Sequence, residues 1–475
     1  MKTFYPIKLL FLAFSLFSFS TTLLAYDPVV ASLEGKPLPE FSMPPIQIKN
    51  IKEGVKLYYV QDSALPVVEM RFIFQMAPIF EPADKVGITS FTWGTWRAGG
   101  SGKFSSQEMD RQLEEASIEI GTSVKDEYSI VSLRCLSRDL PKALELFFDL
   151  LMHPAFEEGP FEIVRQGSIA GLKRQNEDPM DVAYREFQKV LYGSENVWAR
   201  TPKIKTVQAF SREEIQAFYK KYIYPANLSI LVSSQISQRE IEKRLQPYFE
   251  NWTPSQLDLP TLALLKKEWT PGVYLVNKPL NQSSIVVGHF GDKRSNPDKF
   301  PIILANQILG GSTFGSRLGN SIRTTLGLAY SVNSYFGLDT DLGAFLVFVG
   351  TKSESTVRVV EEIKKQITAL STDQPMTNEE LSYVKDSILN GLVFQVESLF
   401  QAAMLRFQYD FYGYPADYLT VYQRELKKVS LADIQRVLHQ YFFPDRLITF
   451  IVGNQSHIVG LSQLGIVQMV NVTIE

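Results

Sequence analysis

The sequence predicts an α+β fold of two duplicated halves, each a mostly antiparallel sheet with helices packed on one face. Three observations lead there. Runs of period-two alternation, such as 67–75, are interleaved with longer runs of helical period, such as 139–152. Ser211, Ile215, Gln216, Tyr222, Pro225 and Leu228 recur as Ser430, Ile434, Gln435, Tyr441, Pro444 and Leu447, at a constant offset of 219. Gly99-Gly100-Ser101 recurs as Gly310-Gly311-Ser312 at an offset of 211, each copy following a helical run. Two repeated segments in the same order point to duplication.

Taken in order, residues 1–25 read as a secretory signal. Lys2 and Lys8 precede the apolar run 9–19, and Leu23-Leu24-Ala25 sets cleavage after Ala25. The run is shorter than the roughly 20 residues of a spanning helix, so no stable membrane insertion is expected after cleavage. Tyr26 stands where a lipid anchor needs cysteine. Residues 26–50 are rich in proline and read as an extended arm. The first half, 51–250, holds strands at 55–61, 67–75, 123–136 and 228–233. Its helices are at 84–98, 104–116, 139–152, 157–177, 181–191 and 211–222. Pro254, Pro260 and Pro271 mark 251–272 as a linker. The second half, 273–475, repeats the plan with strands at 273–276, 284–290, 343–350 and 447–452. Its helices are at 299–309, 354–370, 378–408 and 430–441.

Composition narrows the function. At 475 residues the chain exceeds one compact core. A net charge of -3, with Lys and Arg spread along the chain, leaves no nucleic-acid footprint. The single cysteine, Cys135, excludes an internal disulfide and alternates with Leu133 and Val131 as a core residue does. An exported chain without disulfides fits a periplasm, with secretion as the alternative. The loop 98–105, AGGSGKFS, fails the phosphate-loop template, because Arg97 replaces the first glycine and Phe104 the final Ser/Thr.

The most informative stretch is 310–332, GGSTFGSRLGNSIRTTLGLAYSV. A glycine turn opens it. Leu318, Ile322 and Leu326 then share a helical face, Gly327 ends the helix, and a strand follows. Arg323 lies near the helix end and Tyr330 seven residues on. A guanidinium and a phenol can converge there as donors to a carbonyl or oxyanion. Gly310, Gly311, Ser316, Arg317, Leu318, Arg323, Gly327, Leu328, Ala329, Tyr330, Ser331 and Val332 match the arginine–tyrosine segment of the insulinase/pitrilysin zinc peptidases, and the segment resembles their mitochondrial processing peptidase branch. The resemblance covers about residues 45–470 and implies the same duplicated fold.

The resemblance also says what is missing. Family members carry HxxEH on a helix of the first half, with a third ligand, a glutamate, on a later helix. Here the motif's two histidines fall on Ser90 and Gly94, its glutamate on Trp93, and the distal glutamate near Gly171. None can ligate zinc or act as base. His153, His289, His439 and His457 are the only histidines, and none pairs at ligand spacing. The chain itself is therefore expected to bind no metal cofactor. Trp93 and Trp96 are expected to fill the space as core aromatics, with an apolar peptide-contact patch as the alternative. Loss of the zinc positions with retention of Arg323 and Tyr330 resembles the non-catalytic subunit of a two-chain zinc metallopeptidase. That implies a heterodimer with an HxxEH partner holding Zn, a peptide substrate, and no autonomous activity. The alternative is a catalytically inactive peptide-binding or scaffolding protein of the envelope.

Overall fold

A computed structural model describes residues 41–250, 252, 258–312, 315–372 and 375–473. The expected signal segment and the arm as far as residue 40 lie outside the described residues, as do Thr313 and Phe314 and part of the linker. No single helix among the described residues is long and apolar enough to cross a membrane.

The first sheet contains β1 (Gln47–Lys52), β2 (Val55–Gln61), β3 (Val67–Phe74), β4 (Glu119–Val124), β5 (Ser129–Leu136) and β6 (Leu228–Ser234), in the order β1-β2-β6-β3-β5-β4. The second half follows with β7 (Gly272–Asn277), β8 (Gln282–Phe290), β9 (Asp292–Lys293), β10 (Ala329–Phe336), β11 (Leu338–Asp339), β12 (Ala344–Lys352), β13 (Ile448–Gly453) and β14 (Val467–Met469). Its main sheet runs β10-β12-β8-β13-β7-β14, while β9 and β11 form a separate short parallel ladder. Read from opposite ends, the two main orders correspond strand for strand, with β14 in the place of β1. Even the parallel contact is repeated, as β2–β6 in one sheet and β7–β13 in the other. All other pairs are antiparallel except β7–β14.

The repeat is also kept in the caps. Ser211 and Glu214 form a capping box before the helix Arg212–Tyr222, and Ser430 and Asp433 form one before Leu431–Tyr441. Pro225 and Pro444 each open a short 3-10 turn that leads into β6 or β13. In the first half, Leu140–Met152, Arg212–Tyr222 and Gln238–Glu250 bury their apolar faces in one core with the inner face of the first sheet. The second half repeats this with Lys299–Asn306, Thr356–Ser371 and Leu431–Tyr441.

The opposite face of each sheet is covered by a helix from the other half. Pro179–Tyr192, in the first half by sequence, places Val182, Ala183, Phe187 and Leu191 against Val276, Val286, Phe290 and Phe450 of the second sheet. Leu399–Phe411 places Phe400, Ala403 and Phe407 against Tyr58, Ile73 and Leu231 of the first. The two helices begin 220 residues apart, at Pro179 and Leu399, close to the offset of the repeat. Equivalent helices are thus exchanged.

Several boundaries differ from the sequence reading. The strand expected at 123–136 is the hairpin β4–β5, turning at 125–128. The helix expected at 378–408 breaks into Asn378–Gly391, a 3-10 turn and Leu399–Phe411, with a bend of 110°. Ser398 causes the restart, since it caps Gln401 in a new capping box. The helix expected at 299–309 is α-helical only to Asn306 and then widens into a π-turn, Gln307–Gly311, so the Gly-Gly pair does not end it. Asp178 does not close a helix at 177. It starts the next one, accepting from the N–H groups of Met180 and Asp181. The helices Ile204–Ala209, Gln238–Glu250 and Tyr418–Lys428 and the edge strands β1 and β14 are additions.

Phe187 has no exposed surface. Phe187→Ala is expected to cost about 3–5 kcal/mol. Because its helix belongs to one half and its contacts to the other, hydrogen exchange should show amides of β2 and β7 losing protection together. Loss confined to one sheet would contradict the coupling.

Candidate functional site

The helix Ile88–Ala98 is where family members place HxxEH. Its start is built by the buried Glu81, whose carboxylate accepts from the N–H groups of Gly87 (2.7 Å) and Thr89 (2.8 Å). Burial raises the Glu81 pKa, and those bonds oppose the rise. The helix packs directly on Glu158–Arg174, with Phe91 and Phe161 edge to face at 5.2 Å. The two helices on which the resemblance places the zinc ligands are therefore side by side.

Ser90 is exposed, and Gly94 is half-buried beside Val164, where an added Cβ would lie 3.1 Å from Cγ1. Gly171 is exposed with open space around it. Trp93 is 1% exposed and sits among Phe74, Trp96 and Tyr219, with ring centroids 5.3–6.2 Å away. Trp96 is equally buried and donates from Nε1 to the Leu150 carbonyl at 3.0 Å. The two indoles form no surface patch for peptide contact. A zinc ion does not fit here: one position is a hydroxyl, two lack side chains and the fourth is a core indole. Among the described residues no group of three or more His, Cys, Asp and Glu is placed to hold a metal. Buried His289 belongs to the core: its Nδ1 bonds to the Phe290 carbonyl, its Nε2 accepts from the Phe443 N–H, and burial pushes its pKa down to about 3. Burial pushes the Cys135 thiol up to about 12, as suits an inert core residue.

The second-half segment is built differently. After the π-turn at 307–311 comes another, Gly319–Thr325, in place of the expected α-helix. Leu318 and Ile322 still face the core with no exposed surface. Gly310 is required by close approach, since a Cβ there would sit 2.7 Å from Ser334 Oγ on β10. Arg317 makes a two-pronged ion pair with Glu380 at 2.6 and 2.8 Å, tying the segment to Asn378–Gly391. Arg323 is half-buried near the end of the second π-turn. The turn between Arg323 and Tyr330 is closed by Leu328 N–H donating to Ile322 C=O at 2.9 Å, with Gly327 in the left-handed region at φ 61°. Tyr330 falls where the β10–β12 register slips between Ala329 and Ser331. It is the extra residue of a β-bulge on an edge strand, and it is 94% exposed. Bulges of this kind re-aim a side chain.

One feature escaped the sequence reading, a cleft along the junction of the halves. It comprises a cavity of about 850 Å³ and a neighbouring one of about 410 Å³, which share Glu127, Arg294 and Tyr412. Arg294 stacks 3.5 Å over the Tyr412 ring and lies 4.0 Å from Glu127 and 3.8 Å from Asp339. Burial holds the Asp126 and Asp339 carboxyls above the usual range, and the charge of Glu127 adds to this in both. The lining comes from segments far apart in sequence, and no local motif announces it.

A duplicated α+β fold without an HxxEH motif defines a zinc-peptidase-like protein. The comparisons agree. Residues 209–388 match the family model described as the peptidase M16 inactive domain. An uncharacterised zinc protease of Rickettsia felis is 22% identical over 353 residues, 74% of this chain and 84% of its own. One from Bacillus subtilis is 24% identical over 319 residues, 66% of this chain and 75% of its own. A peptidase M16 inactive domain from Pseudomonas fluorescens superposes with a TM-score of 0.75 at 21% identity, over 87% of this chain and 98% of that one. The periplasmic protease PqqL from Escherichia coli superposes with a TM-score of 0.70 at 15% identity, over 89% of this chain but only 48% of its own length. Residues 209–388 thus match the M16 inactive domain, and the chain as a whole is similar to zinc proteases of this insulinase-like kind without carrying their HxxEH motif.

Since the blank helix now serves the core, Trp93→Ala should cost about 3–5 kcal/mol in urea denaturation. Ser90→His, at an exposed position, should stay within about 0.5 kcal/mol of the parent. Equal effects would mean that Trp93 is not packed as described.

Proposed function

We propose that this chain is the non-catalytic subunit of a two-chain zinc metallopeptidase that degrades or processes peptides in the cell envelope. Its partner is a homologous chain that carries HxxEH and holds the zinc. This chain supplies Arg323 and Tyr330. The contrast between its two family segments supports this role most strongly. The zinc positions are filled or blank, whereas Tyr330 stands on a bulge, almost fully exposed, next to the turn that carries Arg323.

In this role the Tyr330 hydroxyl donates to the substrate carbonyl oxygen as negative charge builds on it, and Arg323 holds the peptide backbone alongside. Placement where charge develops is what makes such donors effective on an oxyanion. The edge strand β4, paired on one side only by β5, offers unpaired backbone groups to an extended peptide. Edge pairing alone would also suit the alternative, an envelope protein that captures peptides or scaffolds an assembly without turnover.

The two roles separate in one experiment. The tagged mature chain is recovered from its own envelope fraction, its partners are identified by mass, and the eluate is assayed for chelator-sensitive peptide cleavage. The subunit role predicts a co-purifying HxxEH protein and activity. In that complex Tyr330→Phe should lower kcat about 10²–10³-fold, corresponding to loss of one oxyanion donor. An unchanged kcat would remove Tyr330 from the chemistry. Recovery of a homo-oligomer with no cleavage would favour the scaffold.

A further inference from the structure

The 850 Å³ junction cavity contains a charge that the Tyr330 segment does not account for. Lys299 stands half-buried in its wall at the first position of the helix Lys299–Asn306. Among the described residues no carboxylate forms an ion pair with it. Its neighbours are aromatic faces: the rings of Tyr414 and Tyr418, each 4.7 Å from Nζ, and that of Phe300 at 5.3 Å. Burial pulls its pKa below the ordinary lysine value.

The other charges of the lining are engaged. Lys56 pairs with Asp410 at 3.4 Å, and Asp410 also accepts from Tyr58 at 2.8 Å and Arg406 at 3.0 Å. Glu127 accepts from the Tyr412 hydroxyl at 2.8 Å and faces Arg294. Among the described charged residues of the lining, Lys299 is the one without an ion-pair partner. Beside it, Ile79, Phe80, Phe407 and Phe411 supply an apolar wall. The volume falls within the range of about 300–1,000 Å³ usual for small-ligand sites.

We propose that this cavity binds a carboxylate attached to an aromatic or aliphatic group, with Lys299 as its ion-pair partner and the apolar wall as the seat of the attached group. A monoanion matches the one unpaired ammonium, Lys299. A phosphate dianion would carry one charge too many into a partly dry site. Two sources share this chemistry: the C-terminus of a peptide and a free small organic acid.

Calorimetric titration of the whole mature chain tests the site. The probes are an N-acetylated tripeptide ending in phenylalanine, the same peptide as its C-terminal amide, and 3-phenylpropionate. The free acid should bind, the amide at least about tenfold more weakly, as expected on losing a charge-assisted contact. Lys299→Gln should lose the same factor and Lys299→Arg should keep most of the affinity, with melting curves confirming that both variants are folded. Tighter binding of the tripeptide than of 3-phenylpropionate identifies a peptide terminus, and equal binding identifies a free acid. Equal affinity for acid and amide, indifference to Lys299→Gln, or no saturable binding by millimolar probe would each overturn the assignment. The measurement needs neither partner nor turnover, so its failure leaves the subunit role untouched, and the reverse holds.

Discussion

The architecture depends on the reciprocal exchange of two equivalent helices. A strand exposes alternate residues to both faces of its sheet, and here both faces are apolar. Val276, Val286 and Phe450 lie on the face that the second half's own helices leave bare, and Tyr58, Ile73 and Leu231 do so in the first. Each half alone would present such a face to water, a surface of the kind that invites association. The exchange covers both faces at once. It also makes the halves interdependent, because separating them uncovers two sheets and frees two helices. The cleft follows directly. Where the helix Leu399–Phe411 ends, its loop carries Tyr412 and Tyr414 to the seam, against Arg294 and Lys299 of the second half.

Much of this was legible in the sequence because it is encoded locally. The repeat of Ser211 and Ser430 is a repeat of capping boxes, and caps are short-range chemistry. The alternation in 67–75 is the pleat of β3, buried on alternate positions over its first half. The exchange was not legible, since Val182, Phe187 and Leu191 make the same amphipathic pattern whichever sheet receives them. The π-turns were hidden for a related reason. Leu318 and Ile322, four apart, satisfy an α-helical template, and the widening of the backbone by one residue leaves no mark in the period. The hairpin at 125–128 lacks glycine and proline, so nothing separated β4 from β5. The lack of an HxxEH motif is read from the sequence directly, because a missing side chain is visible there, whereas the junction cavity, assembled from remote segments, is not.

The two family segments have taken opposite courses. In the helix Ile88–Ala98, Trp93, on which the resemblance places the catalytic glutamate, is a core residue. The Trp93 ring gains three aromatic neighbours at the cost of a buried indole N–H without a partner. An unmet donor of this kind costs roughly 1–3 kcal/mol, and burying a large aromatic surface offsets it. That half has been rebuilt for packing. The segment 307–332 has kept features that packing alone does not favour: two π-turns, a left-handed glycine, and a bulge that leaves a tyrosine almost wholly in water. Local irregularity of this sort persists where the surroundings over-determine it and concentrates at functional positions. Here Arg317–Glu380, the close approach of Gly310 to Ser334 and the buried Leu318 and Ile322 hold it in place. One segment is built for packing and the other is held irregular, and it is this contrast on which the proposed division of labour between two homologous subunits rests.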